Sequence, residues 1–188
     1  MTEIMARQTY ETKRLLLKPL DGSSAGPVLE YLVRNREFLN AWEPAKPDEF
    51  HTLKYQASLL DKELDIMQSG SMFKRWIIAK QDENRVIGSV SFSNIVYGAF
   101  LSCFLGYRLD EHEINKGYMT EAVAKGIEVL FNDFSLHRIE ANIMPRNTRS
   151  LRVVEKLGFY NEGLAKNYLK INGKWEDHIH MVLLNSKL

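Results

Sequence analysis

The sequence predicts a mixed α/β fold, with a mainly antiparallel central sheet flanked by helices. Three observations predict it. Residues 73–109 hold three strand-like runs separated only by turns, the pattern of an antiparallel meander. Residues 119–159 then carry a long amphipathic helix, a short strand and a second helix. A strand reached through a helix can pair in parallel with an earlier one, and where such neighbours diverge a crevice can admit a ligand. Finally, Asn172-Gly173 sits between two strand-like runs and is a strong hairpin signal.

Each element follows from local pattern. Residues 14–20 read as a strand, with Leu15, Leu16 and Leu17 apolar and Pro19-Leu20-Asp21-Gly22 closing it. Residues 24–33 read as a helix, because Val28, Leu29 and Leu32 recur at helical spacing. Residues 35–47 carry two prolines and Trp42 and read as a loop or a broken helix. Residues 53–67 put Leu53, Ala57, Leu60, Leu64 and Met67 on one helix face. The meander strands are 73–80, 86–94 and 100–109, with turns at Asp82-Glu83-Asn84 and Tyr97-Gly98. In 119–134, Met119, Val123, Ile127, Leu130 and Phe134 recur at spacings of four and three, which predicts an amphipathic helix. A short strand at 138–143 follows, then a helix at 148–157 closed by Gly158 as its C′ residue. Strands 168–171 and 174–184 flank the hairpin turn.

The 188 residues predict one domain, 1–188. Lysine plus arginine is 25 and aspartate plus glutamate 24, so the net charge is +1. That balance argues against a surface built wholly for nucleic acid or anionic membrane, while a local basic pocket stays open. Cys103 is the single cysteine, which excludes an intramolecular disulfide, a redox pair or a multi-cysteine zinc site. The longest apolar-rich stretch, 95–107, is broken by Ser102 and is shorter than the roughly 20 residues a spanning helix needs. Residues 1–11 carry Glu3, Arg7 and Glu11 and no apolar core, so no secretory signal is expected and the cytoplasm is the expected location. His178 and His180 share a strand face without a third ligand, which predicts structural or surface roles and no metal. His112-Glu113 lacks a second histidine at Lys116, and no Walker A, G-x-G-x-x-G or G-x-S-x-G string is present.

Two strings carry chemistry. Ile114-Asn115-Lys116-Gly117-Tyr118-Met119 lies between the third meander strand and the long helix. A loop running into a helix N-terminus presents free N–H groups and the positive dipole end, a ready seat for phosphate. Gly117 allows close backbone approach and Lys116 adds a cation, although an ordinary tight turn has the same signature. The second string is N-x-x-S-x4-E-K-L-G-F, from Asn147 through Ser150 to Phe159.

Together with NREFLNAWEP (35–44), SNIVYGAFLSCFLGY (93–107), HRIEANIMPRN (137–147) and AKNYLKINGKWEDH (165–178), these strings resemble the Gcn5-related N-acetyltransferase (GNAT) superfamily. Within it the likeness, running from about residue 14 to 178, is to the RimJ-like branch of the Rim-type ribosomal-protein N-terminal acetyltransferases. The resemblance implies the GNAT acyl-CoA N-acyltransferase fold, acetyl-CoA as cosubstrate, no metal, and the N-terminal alanine of a ribosomal protein as acceptor. The first string looks like that superfamily's pyrophosphate loop, Q/R-x-x-G-x-G/A, with Ile114 in place of glutamine or arginine and Met119 in place of glycine or alanine. The resemblance assigns the cosubstrate to Leu105, Gly106, Tyr107 and Leu109, to Ile114, Asn115, Lys116, Gly117, Tyr118, Met119 and Thr120, and to Asn147 and Arg149.

The chemistry asks for three things. An α-amine of pKa about 7.7–8.0 has a neutral fraction at pH 7, yet attack on a thioester releases a proton that a base or ordered water must take. The oxyanion needs donors, which a strand left unpaired by a splayed neighbour supplies; the resemblance implies 105–107. The departing thiolate needs a donor. Ser150 is the candidate, since related alanine acetyltransferases can use a tyrosine where this chain has Val154. A helix-start hydroxyl that satisfies backbone is the alternative reading, and Asn147 suits both a cap and a cosubstrate contact. Candidate bases are Glu140, Glu43 and Tyr168, with ordered water as a fourth possibility. Glu140 shares a strand face with Asn142 and also suits pairing with an arginine, while Glu43 also suits holding the acceptor's ammonium. Arg146, Arg149 and Arg152 suit either a patch for the CoA 3′-phosphate or a solvated helix face. Phe38, Leu39 and Trp42 suit either a substrate groove or core.

A ribosomal-protein N-terminal acetyltransferase is the first reading. A small-molecule N-acetyltransferase acting on a polyamine, amino sugar or amino acid is the second, and a CoA-binding module without turnover the third. Exposed strand edges leave both monomer and dimer open.

Overall fold

The structure is a computed structural model and describes residues 3–188. Of the N-terminal stretch 1–11, in which no secretory signal is expected, the first two residues lie outside the described residues.

Among the described residues eight strands form one sheet in the order β1-β2-β3-β4-β5-β6-β8-β7. They are β1 (Tyr10–Glu11), β2 (Leu15–Lys18), β3 (Met72–Ala79), β4 (Val86–Val96), β5 (Ser102–Leu109), β6 (Arg138–Ile143), β7 (Tyr160–Ile171) and β8 (Lys174–Leu184). Every neighbouring pair is antiparallel except β5 and β6, which run parallel. Among the described residues six α-helices accompany them: α1 (Glu3–Arg7), α2 (Ala25–Arg34), α3 (Arg36–Asn40), α4 (Leu53–Gln68), α5 (Tyr118–Asn132) and α6 (Thr148–Lys156). The expected antiparallel meander and flanking helices are therefore observed.

The sheet is covered on both faces. Leu15, Leu17, Ile77, Val90, Phe92, Leu105 and Ile139 pack with Ala122, Val123 and Leu130 of α5 and Val154 of α6. On the other face Leu16, Trp76 and Ile78 pack with Val28, Tyr31 and Leu32 of α2 and Leu60 of α4. This is why Leu15-Leu16-Leu17 reads as an unbroken apolar run: successive side chains point to opposite faces, and both faces are dry. Helix α5 lies so close to β4 that a Cβ on Gly126 would stand 2.4 Å from the Phe92 ring. The hairpin turn has positive φ at Asn172 (44°) and Gly173 (81°), as a type I′ turn requires.

Some elements differ from expectation. Strand β7 begins at Tyr160, not at residue 168. Most of its length is exposed on both sides, so no apolar alternation marks it, and backbone pairing with β8 holds it. Helix α1 and strand β1 carry no local signal; Ala6 of α1 is buried by Leu64 and Met67 of α4. Helix α5 stops at Asn132, while Phe134 beyond it still packs in the core. Residues 35–47 contain the short helix α3, so the broken-helix reading applies. Among the described residues no helix is long and apolar enough to cross a membrane, and no cluster of three or more metal-ligating side chains occurs.

Candidate active site

The parallel seam between β5 and β6 is short. Ser102, Cys103 and Phe104 pair with Arg138, Ile139 and Glu140, and pairing ends there. From Leu105 and Ala141 onward the strands have no partner across the seam. Backbone groups on that side of β5 are thereby released from the ladder, and buried backbone polar groups demand partners. A cleft of about 430 Å³ opens at this point.

The cleft reaches both faces of the sheet. Alternation and register put Leu105 and Tyr107 on the α5–α6 face, with Val90 and Phe92. Gly106 and Arg108 point to the α2–α4 face, beside Ser91 and Ser89. Ile114, Asn115, Gly117, Met119, Thr120, Asn147, Arg149, Ser150, Arg152, Val153 and Lys156 line it from the helix side. Phe38, Leu39, Trp42, Glu43, Asn142 and His178 line it from the other.

The loop before α5 is rigidly buttressed. Asp110 is fully buried and accepts from Arg34 Nε (2.8 Å), Arg85 Nη2 (3.0 Å) and the His112 N–H (3.0 Å). Burial raises its pKa, but these donors outweigh that and hold the carboxyl below its ordinary value. Glu113 accepts from Arg85 (2.9 Å) and Lys116 (2.8 Å). From the other side Arg14 Nη1 donates to the Lys116 carbonyl at 2.8 Å, and its Nε pairs with Glu121 of α5 at 2.7 Å. Gly117 has φ +80° and heads α5 without a side-chain cap. The first-turn N–H groups of this 15-residue helix are thus left to a ligand, which fits a diphosphate.

Opposite that loop, Asn147 caps α6, its Oδ1 accepting from the Ser150 N–H at 3.2 Å. Ser150 Oγ donates to the Tyr107 hydroxyl at 2.7 Å, and that hydroxyl donates to the Ser150 carbonyl at 2.9 Å. Burial pushes the Tyr107 phenol well up, and the Ser150 hydrogen bond offsets this only in part, so it stays protonated. Glu43 pairs with Lys46 (3.0 Å) and Arg108 (3.4 Å). Its burial raises the pKa, but the two cations outweigh it and keep the carboxylate ionised.

Not every residue singled out in the sequence meets in the cleft. Glu140 and Tyr168 are not part of its lining. Glu140 is held by Arg138 (2.7 Å) and His180 (2.6 Å), which corresponds to its reading as an arginine partner. The Tyr168 hydroxyl lies 3.4 Å from Asn142 Nδ2. Lys116 turns its ammonium to Glu113, and Tyr118 is buried with its hydroxyl accepting from Gln81. Arg149 and Arg152 line the cleft, but Arg146 stacks on Trp42 and pairs with Glu176 at 3.1 Å. Val154 is wholly buried in the core. Arg108, Asn142 and His178 were not assigned to the site from sequence. The sequence predicts a structural or surface role for His178; the side chain is buried and lines the cleft. Strand alternation marks its face, but nothing local says that this face borders a gap.

A family model described as the acetyltransferase (GNAT) domain matches residues 14–160. The chain belongs to the GNAT acetyltransferase family. This GNAT chain is 37% identical over 173 residues to the probable N-acetyltransferase YjcK of Bacillus subtilis, covering 92% of this chain and 95% of that protein. It is 38% identical over 170 residues to the ribosomal protein uS5-alanine N-acetyltransferase of Escherichia coli, covering 89% and 86%. Its backbone is similar to that of Mycobacterium smegmatis RimJ in complex with CoA-disulfide, with a TM-score of 0.86, 28% identity, and coverage of 93% of this chain and 83% of that one. The resemblance read from the sequence motifs, to the GNAT superfamily with RimJ-like relatives, therefore holds.

Proposed function

We propose that the chain is one N-acetyltransferase domain that transfers acetyl from acetyl-CoA to the N-terminal alanine of a ribosomal protein. One observation carries this reading: a single cleft passes through the gap where β5 leaves β6, so a cosubstrate on the α5–α6 face can meet an acceptor on the other. The likeness to the uS5-alanine N-acetyltransferase supports the acceptor.

When bound, acetyl-CoA supplies the acetyl thioester. The chain's own groups bind and orient it. Gly117 and the first-turn amides of Tyr118, Met119 and Thr120 take the diphosphate, while Arg149 and Arg152 offer charge to the 3′-phosphate. Backbone N–H groups of β5 beyond Phe104 face the carbonyl oxygen on which charge develops. To protonate the departing sulfur, Ser150 turns its O–H away from the Tyr107 hydroxyl that accepts it, while Tyr107 keeps donating to the Ser150 carbonyl. Glu43, kept ionised by Arg108 and Lys46, is better suited to drawing in a cationic amine than to accepting its proton. Phe38, Leu39 and Trp42 form an apolar wall at the acceptor end.

The test is an intact-mass comparison of ribosomal proteins before and after incubation with the protein and acetyl-CoA. A gain of one acetyl on a single alanine N-terminus supports the reading. No gain, with thioester consumed in the presence of spermidine or an amino sugar, overturns the acceptor and points to small amines.

A further inference from the structure

We propose that His178 takes the proton released by the attacking amine and that Asn142 Oδ1 holds that amine through an N–H. The assignment rests on the acetyl-transfer reading above. Asn142 and His178 share a sheet face by register: Asn142 pairs with His180, two residues along from His178. Both line the cleft, and Asn142 stands beyond the last rung of the parallel seam.

Their unused atoms point to a ligand. Asn142 Oδ1 is buried with no hydrogen-bond partner, while its Nδ2 reaches the Tyr168 hydroxyl. A buried acceptor without a donor is costly, and an incoming amine supplies the donor. His178 Nδ1 lies 3.0 Å from the Glu176 carbonyl oxygen. A carbonyl only accepts, so Nδ1 carries a proton, and the base form of the ring has its lone pair on Nε2. Among the described residues the ring makes this one hydrogen bond, which leaves Nε2 without a protein partner. The carboxylates nearby are already committed, Glu140 to Arg138 and His180, and Glu43 to Arg108 and Lys46.

The step balances. The neutral amine's lone pair forms the C–N bond at the thioester carbonyl carbon, and the C–S bond breaks with its electron pair leaving on sulfur. The proton lost from nitrogen goes to His178 Nε2, and one proton reaches sulfur through the Ser150 hydroxyl. Solvent then resets both side chains.

Titratable and charged groups around His178 are Tyr168 on β7, with ring centroids 5.6 Å apart, and Glu176 and His180 on its own strand. Glu140 on β6 pairs with His180, Arg146 pairs with Glu176, and Glu43 and Arg108 line the same cleft.

The test measures acetyl transfer to a peptide with an N-terminal alanine between pH 6 and 9. His178→Asn keeps a donor for the Glu176 carbonyl but has no base. It is expected to lower kcat at pH 7 by about 100-fold or more while retaining CoA-induced thermal stabilisation. Its rate should depend more steeply on pH between 6 and 9 than that of the wild type, as solvent replaces the missing base. Asn142→Leu should raise the peptide KM by about tenfold with a smaller change in kcat. If His178→Asn loses the CoA-induced stabilisation, His178→Gln is measured in its place and should show the same loss of rate. A folded His178 variant with kcat within about threefold of wild type and an unchanged pH profile overturns the assignment. A wild-type protein that binds CoA but leaves the peptide unmodified removes the acceptor reading, and this assignment falls with it.

Discussion

Phe104 of β5 and Glu140 of β6 form the last rung of the parallel seam, and the cleft opens past it. Up to that rung, Cys103 and Ile139 belong to the dry core. One residue further, Leu105 borders the cleft, and Tyr107 reaches across to α6. The gap turns a closed sheet into a passage between its faces.

Tyr107 and Ser150 sit in that passage with their hydroxyls 2.7 Å apart. Ser150→Ala removes the proposed donor to the departing sulfur but leaves the amides of the Gly117 loop intact. Steady-state kinetics should show kcat reduced by about 10–100-fold. Calorimetry should give a CoA Kd within about twofold of wild type, since the serine is assigned no part in holding the diphosphate. Loss of CoA affinity without loss of kcat would contradict the role assigned to Ser150.

Gly117 has φ +80°, and a Cβ there would lie 3.3 Å from Arg14 Nη2. Gly117→Val introduces a β-branched side chain where left-handed backbone is disfavoured by about 1–2 kcal/mol. It also crowds the amides proposed to hold the diphosphate. CoA affinity should fall by roughly tenfold or more, as 1.4 kcal/mol corresponds to about one decade. An unchanged Kd by isothermal titration would remove the loop from the binding site.

Gly126 matters for packing rather than binding. A Cβ there would stand 2.4 Å from Phe92 Cε2, so Gly126→Ala must push α5 from β4 or turn the ring. Overpacking of this kind costs about 1–3 kcal/mol. For a chain of this size, thermal denaturation should show a fall of about 2–4 °C per kcal/mol. Phe92→Leu in the same chain should restore part of the loss.

Glu121 accepts from the Thr12 hydroxyl (2.6 Å), the Arg14 N–H (2.8 Å) and Arg14 Nε (2.7 Å). Burial raises its pKa, but these donors outweigh it, so the folded carboxyl lies below the ordinary 4.5. The unfolded chain therefore binds its proton more readily. The clamp's stabilisation is complete above about pH 4.5 and disappears as pH falls through the lowered folded value. Glu121→Gln should be less stable at pH 7 but lose less further stability between pH 5 and 3, as measured by denaturant titration at each pH. An identical acid dependence in the two proteins would show that the carboxylate does not carry it.

Much of this layout is written locally. The spacing of Met119, Val123, Ile127 and Leu130 marks α5, Asn172-Gly173 marks the hairpin, and the Gly117 and Asn147–Ser150 strings mark the two helix starts that border the cleft. The exposed first half of β7 has no such mark because strand pairing alone maintains it. Glu140 and Asn142 look equivalent in sequence, two apart on one strand face. Where the seam ends separates them: Glu140 is on the closed side, taken up by Arg138 and His180, and Asn142 is on the open side with an oxygen unused.

Helix starts, turns and amphipathic faces depend on residues a few positions apart, so the chain's own order specifies the Gly117 loop, the Asn147–Ser150 helix start and the family they belong to. The identity of the groups left available for chemistry depends on partners brought in from far along the chain. Arg108 commits Glu43 from 65 residues away, and His180 commits Glu140 from 40 residues away. Ion pairs of this kind are settled by contact in space, and they form only when the sheet closes.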